Sequence, residues 1–595
     1  MPSIQAPPPP SSLDRARNQR NRPVFLRDIF VIRLINAWWI ATFFQPDEFF
    51  QSLEPAWDLA FGPRSGAWLT WEWQHQLRSS LHPALFAGAY LTADFIASHI
   101  LPMGILRAAI LVAAPRTLQA GIAALGDWYT WQLAVSIYGD NSNVSFFAAT
   151  LSSALQSLAM VLLHPHFFKL PRDDSYCNGS PLFPRNLWSL RASLCLAAFA
   201  VILRPTNLLI WATIALVTLT RISLQGSSPL KPSTVLVLLR EAILCGSLVL
   251  AVSITSDRLY FGFWTFPPYN FLYFNLSKSL AVFYGRNPWH YYLLQGLPLI
   301  CTTSLPFALL ALYKPSAPAV SVSQFNTLKT LAYTVFTTIG ALSVISHKEV
   351  RFIYPLLPAL SILAAPYAAS FFTSQPAPTT NNPHPRPQIR NKSYLLAALG
   401  VNIFLAGYLS FLHQPAPLNV LSYLRHEYER IHPDSVKLAQ TTRFSSPPDE
   451  EEELFALFLM PCHSTPWRSH LVYPGLRAYA LTCEPPLHTQ PNTPERENYR
   501  DEADRFYDNP IPFLTTELFS PTKPLSVPRY IIGFEGVEPW LDEFIKTPEA
   551  QALGLSKIRR VWGGFNGFFN EDWRRAGKMI VWDTGVYDNA PPEKA

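Results

Sequence analysis

The 595-residue chain is 49% hydrophobic and only 15% charged, against roughly 25% charged in soluble domains, and this excludes an ordinary soluble enzyme. Its net charge of +6 comes from basic residues scattered through short loops, with no basic stripe interleaved with aromatics, which argues against nucleic acid as a partner. Aromatics at 14% and 55 prolines fit rings at headgroup level and interrupted helices at membrane depth.

In chain order, residues 1–27 carry the prolines Pro7 to Pro10 and then Arg15, Arg17, Arg20, Arg22 and Arg27, predicting a disordered basic arm in the cytosol. The next segment, about 28–44, is apolar apart from Arg33 and Asn36 and lacks a small-residue cleavage site, so it reads as an uncleaved signal anchor ending in the lumen. Further spans fall at about 83–101, 105–125, 145–163, 188–203, 207–220, 233–254, 291–313, 326–346, 353–372 and 393–412, roughly 20 residues being needed per crossing. The expected architecture is a multispanning α-helical membrane protein of about eleven transmembrane helices. The 188–220 pair is broken at Arg204-Pro205.

Parity places the loops 164–187, 221–232, 314–325 and 373–392 in the cytosol. They hold Lys169, Arg172, Arg185, Lys231, Lys314, Arg386 and Arg390, as the positive-inside bias requires. The loops 45–82, 126–144 and 255–290, the turn 347–352 and everything after residue 413 are then luminal. The tail is acidic at Asp449 to Glu453 and has alternating runs such as Pro528 to Phe534, predicting a small luminal α/β domain over 413–595. Cys195, Cys245 and Cys301 lie in apolar segments, whereas Cys462 and Cys483 lie in the tail and are able to pair in an oxidising lumen. Of four Asn-x-Ser sequons, Asn143 and Asn275 are predicted to be luminal glycosylation sites, and Asn178 and Asn391 cytosolic.

Three stretches can carry chemistry. The first luminal loop opens with Gln45-Pro46-Asp47-Glu48-Phe49-Phe50 and continues to Glu54. A carboxylate shielded by phenylalanines at the membrane surface can serve as a general base toward a hydroxyl, although acidic residues also simply favour a helix N-terminus. In a regular helix from Pro46, Asp47 and Glu54 would share a face. The second stretch, His347-Lys348-Glu349-Val350-Arg351-Phe352, crowds four ionisable groups between two spans. Its cations suit a lipid-linked phosphate, with Glu349 orienting them; snorkelling anchors are the bland alternative. The third is the aromatic-polar loop Asp257 to Asn275, in which Trp264, Tyr269 and Asn270 suit sugar recognition but also resemble an interfacial belt. Neither His164-Pro165-His166 nor Cys462-His463 with His470 offers a standard four-ligand zinc set.

The first two stretches together resemble glycosyltransferase family twenty-two, the multispanning GT-C mannosyltransferases of the endoplasmic reticulum, whose HKExRF signature stands here intact as HKEVRF. Arg204-Pro205-Thr206-Asn207 and the 257–275 loop fit as well, and the resemblance covers about residues 28–412 as a GT-C transmembrane catalytic domain. Tyr269 to Asn275 and the tail sequence Leu459 to His470 are similar to the branch that adds the third mannose of the GPI anchor.

The resemblance implies an inverting α-1,2-mannosyltransferase using dolichyl-phosphate mannose on the luminal side of the endoplasmic reticulum membrane. Asp47 would be the base, with Glu48 as partner or substitute and Glu54 in support. His347, Lys348 and Arg351 would hold the donor phosphate, supported by Glu349, while Trp264, Tyr269 and Asn270 would meet the acceptor. No cofactor or metal is expected, since side-chain cations can neutralise a monophosphate leaving group. The partners expected are lipid substrates and the membrane, with no nucleic acid and no obligate protein. The same chemistry serves a fourth GPI mannose or lipid-linked oligosaccharide; a lipid transporter or scramblase is the rival of another class.

Overall fold

In the computed structural model, residues 12–100, 104–139, 187–225, 232–278, 285–315, 321–374, 388–438, 453–490, 493–520, 525–570 and 572–587 are described, with isolated positions at 144–145, 147–148, 280, 283 and 319. The predicted span 145–163 and Asn143 and Asn178 lie outside the described residues, apart from those isolated positions. The chain divides into two compact units. One comprises 1–38, 119–259 and 284–406, the other 39–118, 260–283 and 407–595.

The long helices follow the apolar runs. Among the described residues, Leu106–Tyr138, Val235–Phe261, Tyr292–Tyr313, Val350–Phe372 and Lys392–Ile431 are long and apolar enough to cross a membrane, and Leu187–Leu203 and Asn207–Arg221 are shorter apolar helices. Val322–Val344 forms another 23-residue helix, opened by a capping box in which Ser321 and Gln324 satisfy each other's backbone N–H groups. The break at Arg204-Pro205 is present, with helices Leu187–Leu203 and Asn207–Gln225 on either side. Pro205 has no N–H to continue the helical ladder.

Two predicted boundaries are corrected. The basic arm is not structureless throughout: one helix runs Ser12–Trp39, because arginine, leucine and glutamine are good helix formers and the proline run Pro7 to Pro10 precedes it, leaving Pro23 alone within it. The span predicted to end near residue 125 instead continues as Gly104–Tyr138, so most of the predicted loop 126–144 is helix. No glycine pair or proline after Pro115 interrupts that run.

In the first unit the core is built from Tyr292 to Leu312, Leu328 to Leu342 and Ile353 to Ala365. Arg33, the oddity of the first apolar segment, is buried and donates from Nε to Asp127 Oδ2 at 2.7 Å. Hydrocarbon would make either charge alone very costly; paired, both are tolerated.

In the second unit the tail forms a five-stranded mixed sheet: β1 Leu454–Leu459, β2 Leu476–Ala480, β3 Tyr530–Phe534, β4 Arg559–Gly564 and β5 Met579–Asp583. The order is β2-β1-β3-β5-β4. β1 is parallel to both β2 and β3, and β5 is antiparallel to β3 and β4. Every residue of β1, β3 and β5 is buried, as expected of central strands covered on both faces. The strand expected at Pro528 to Phe534 is present as β3, although its residues are buried throughout and do not alternate. Helices Glu502–Asp508 and Glu538–Phe544 pack Phe506, Leu541 and Phe544 against Leu457, Ile531 and Trp582.

Candidate active site

Asp47 and Glu48 stand at the start of a helical run in the second unit. Pro46 occupies the first helical position, where its missing N–H costs nothing. The run then loosens into a π turn over Phe49–Leu53 before resuming as Glu54–Phe61. Trp73 holds the loosened turn by donating its indole N–H to the Phe50 carbonyl at 3.1 Å. The extra residue per turn shifts the helical phase, so Asp47 and Glu54 are not the facing pair of a regular helix. Such π insertions recur at functional sites. Both Asp47 and Glu48 are half-buried.

Glu54 is fully buried and accepts the backbone N–H groups of Trp68 at 3.0 Å and Ser469 at 2.8 Å. Burial raises its carboxyl above the ordinary range, while those two amides work in the opposite direction. Its role is therefore to clamp the tail motif onto the first loop. Arg468 beside it is buried and donates to the carbonyls of Tyr473, Leu476 and Gly66. Desolvation brings its guanidinium down to about 10. Gly66 makes room for it: a Cβ there would lie 2.9 Å from Arg468 Nε, and its φ of +79° suits glycine alone.

The tail motif also supplies aromatic walls to the Asp47 segment. His463 lies over Phe50 with ring centroids 4.1 Å apart, His470 meets Phe49 edge-on at 5.3 Å, and Trp467 meets Trp68 at 5.1 Å. Desolvation pushes His463 down to about 4, against the opposing charge of Asp47, and pushes His470 well down as well. Both imidazoles of this wall are therefore neutral near neutral pH. The Arg116 guanidinium feels the Glu48 charge and donates to the Ile40 carbonyl at 3.2 Å. His463 and Val472 hold positive φ of 54° and 65°. For a β-branched residue this is strained backbone, a condition concentrated at functional segments. Cys462 and Cys483 are disulfide-bonded with Cα atoms 5.7 Å apart, which ties the motif to the strand β2 exit.

In the first unit, Glu349 is the hub of the charged cluster. It accepts from His347 Nε2 at 2.9 Å and from Arg351 Nη2 at 2.7 Å, while His347 Nδ1 is 3.0 Å from the Gly285 carbonyl. Desolvation disfavours the ionised Glu349, but the His347 hydrogen bond and the Arg351 charge prevail and hold its carboxyl down to about 2. The same hydrogen bond raises His347. Lys348 is 3% exposed and donates its ammonium to the carbonyls of Asn287, at 2.9 Å, and Ile345, so it fastens the turn rather than opening onto solvent. Asn287 returns a bond to the Lys348 carbonyl, and Arg204 donates to the Arg351 carbonyl at 2.9 Å. That bond gives the Arg204-Pro205 break a second purpose.

The aromatic-polar loop, in the second unit, places Trp264 and Tyr269 on the surface, 70% and 63% exposed. Asn270 instead directs its amide to the carbonyls of His75 and Gln76, holding two loops together. Asn275 sits in the helical turn Tyr273–Ser277 and donates to the Phe271 carbonyl at 2.9 Å.

A family description, the Alg9-like mannosyltransferase family, matches residues 25–472. The chain belongs to that family. It is 76% identical to GPI mannosyltransferase 3 of Gibberella zeae, covering 98% of each chain. It is 40% identical to GPI mannosyltransferase 3 of Aspergillus fumigatus, over 96% of this chain and 79% of that one. The protein of the same name from Yarrowia lipolytica is 33% identical, over 93% of this chain and 96% of that one. Among solved structures, ArnT from Cupriavidus metallidurans bound to undecaprenyl phosphate aligns over 96% of this chain and 98% of that one, at 13% identity and a TM-score of 0.40, too loose a likeness to carry weight.

Membership of the Alg9-like family makes the chain a multispanning mannosyltransferase. The matched region runs from the first span through Asp47 and HKEVRF and stops at Val472, so it takes in the whole tail motif that packs on the Asp47 segment. Sequence reasoning singled out that motif only as an identifier. Its packing role is signalled by Trp467, Arg468 and His470 crowded next to cysteine and proline, a density unusual for a surface loop.

Proposed function

We propose that this mannosyltransferase transfers mannose from dolichyl-phosphate mannose to the 2-hydroxyl of the second mannose of a GPI precursor, adding the third mannose in an α-1,2 linkage. The observation that carries the reading is the 76% identity over 98% of both chains to a protein named GPI mannosyltransferase 3. The acceptor oxygen attacks the anomeric carbon as the bond from that carbon to the dolichyl phosphate oxygen breaks. A β-linked donor thus gives an α product by inversion, and dolichyl phosphate leaves with the electron pair.

Asp47 takes the proton of the attacking hydroxyl, with Glu48 as its partner. The half-buried setting at the head of a helical run, beside the aromatic wall of the tail motif, supports this. The charge developing on the leaving phosphate falls to Arg351 and His347, which Glu349 holds in a fixed orientation. Lys348 contributes by fastening the turn that presents them. The reading needs no metal ion, since these cations supply the charge. The active site is assigned to the lumen of the endoplasmic reticulum, with about eleven crossings and the tail domain luminal.

Loss of the protein should cause a two-mannose GPI intermediate to accumulate, read by lipid analysis of a loss-of-function strain. Accumulation of a truncated dolichol-linked oligosaccharide, or of a three-mannose GPI, would contradict the acceptor assignment.

A further inference from the structure

The tail domain contains a cavity of about 290 Å³ lined by Tyr507, Glu535, Gly536, Trp540, Trp573 and Arg574, with Gly577 at its rim. This is at the small end of ligand pockets. Tyr507 and Trp540 come from the core-packed helices Glu502–Asp508 and Glu538–Phe544, with rings 5.6 Å apart at 77°. Trp573 stands perpendicular to Tyr507 at 5.9 Å, yet remains 68% exposed.

The polar groups have the character of a binding site. The Tyr507 side chain is buried and its hydroxyl makes no hydrogen bond, a state that normally costs stability unless something outside the fold satisfies it. Glu535 is 44% exposed, and its Oε1 lies 3.6 Å from Arg560 Nη1. Arg574 is fixed by Asp504 at 2.8 Å and Asp572 at 3.0 Å. With five N–H donors in a guanidinium and three of them engaged through Nε, Nη1 and Nη2, it has donors left over. Glycines keep the space open: a Cβ at Gly536 would meet nothing within 4 Å, and one at Gly577 would lie 3.1 Å from Glu535 Oε2.

We propose that this cavity binds a pyranose ring, and that the ring belongs to the acceptor glycan. An exposed indole packs on the apolar face of a sugar, while a hydroxyl, a carboxylate and a guanidinium offer the mixed donors and acceptors its hydroxyls need. The acceptor assignment rests on the proposed function. It is supported by Arg575, the residue after Arg574, which donates to the Cys462 carbonyl at 3.2 Å and whose charge acts on His463. His463 in turn feels Asp47. The cavity wall and the surroundings of Asp47 are thus consecutive parts of one unit.

The test uses the purified full chain in nanodiscs, with α-1,6-mannobiose as the probe in saturation-transfer NMR, alongside transfer kinetics on a two-mannose GPI acceptor. Tyr507→Phe removes only the unpartnered hydroxyl, and Trp573→Ala removes an exposed ring, so neither threatens folding. Tyr507→Phe is expected to weaken mannobiose binding about tenfold and to raise the acceptor KM with kcat unchanged; Trp573→Ala should abolish the signal. An absent signal in the parent chain, or a signal indifferent to both variants, overturns the cavity as a sugar site. Variants that lose mannobiose binding but keep the acceptor KM overturn the acceptor assignment alone. A parent that binds mannobiose through Tyr507 and Trp573 yet transfers nothing to the GPI acceptor supports the sugar site while contradicting the proposed function.

Discussion

At the scale of single residues, Glu349 decides how the HKEVRF cluster behaves. It bridges two partners, accepting from His347 and from Arg351, so its removal would do more than delete a carboxylate. His347 is raised above its ordinary value by the Glu349 hydrogen bond, so its share of stability is complete below about 6.5 and is lost as pH rises through the raised value. Glu349, held down to about 2, gives its share above about 4.5 and loses it only as pH falls toward 2. The cluster is therefore strongest between about 4.5 and 6.5. Glu349→Gln should lower the melting temperature in detergent and flatten the decline in stability as pH rises above about 6.5. Parent and variant melting with the same pH slope would show that the pair does not hold the turn.

At the scale of elements, the unit that matters is the first luminal helical run together with the tail motif. Glu54, expected to assist catalysis, instead accepts two backbone amides. Deleting it strands buried N–H groups of Trp68 and Ser469. Glu54→Ala is expected to cost about 3 kcal/mol and to reduce transfer through misplacement of Asp47, with Glu54→Gln recovering part of the loss because its amide oxygen can still accept. If Glu54→Ala keeps the parent's stability and activity, the clamp is not needed. The sequence showed the ingredients of this arrangement but not their meeting: Glu54 and Ser469 are 415 residues apart, and no local pattern reports a contact of that range. The π turn was equally hidden, because a one-residue phase slip leaves composition and periodicity almost unchanged.

For the whole molecule, the apolar runs were legible because span length is set by the bilayer, and most predicted spans coincide with described helices. Where expectation failed, at Ser12 and beyond residue 125, polar or aromatic residues with adequate helix propensity extended helices outside the hydrophobic stretch. Family membership was legible in HKEVRF, since four ionisable groups in a membrane-flanking turn are costly to keep without a task. The distribution of roles within that turn was not, because it depends on which carbonyls Lys348 meets and on Glu349 bridging two cations. The Arg33–Asp127 pair shows the same limit: Arg33 looked anomalous in an apolar run, Asp127 fell in a predicted loop, and only the fold pairs them.

The proposed role of Asp47 as the base for mannosyl transfer to a GPI precursor is tested most directly by transfer in microsomes carrying Asp47→Asn at matched expression, supplied with dolichyl-phosphate mannose and a two-mannose GPI acceptor. Removing a general base should reduce kcat by about 100-fold or more while acceptor KM changes little, and the two-mannose acceptor should persist. Transfer at the parent's rate by the Asp47→Asn protein would contradict the account.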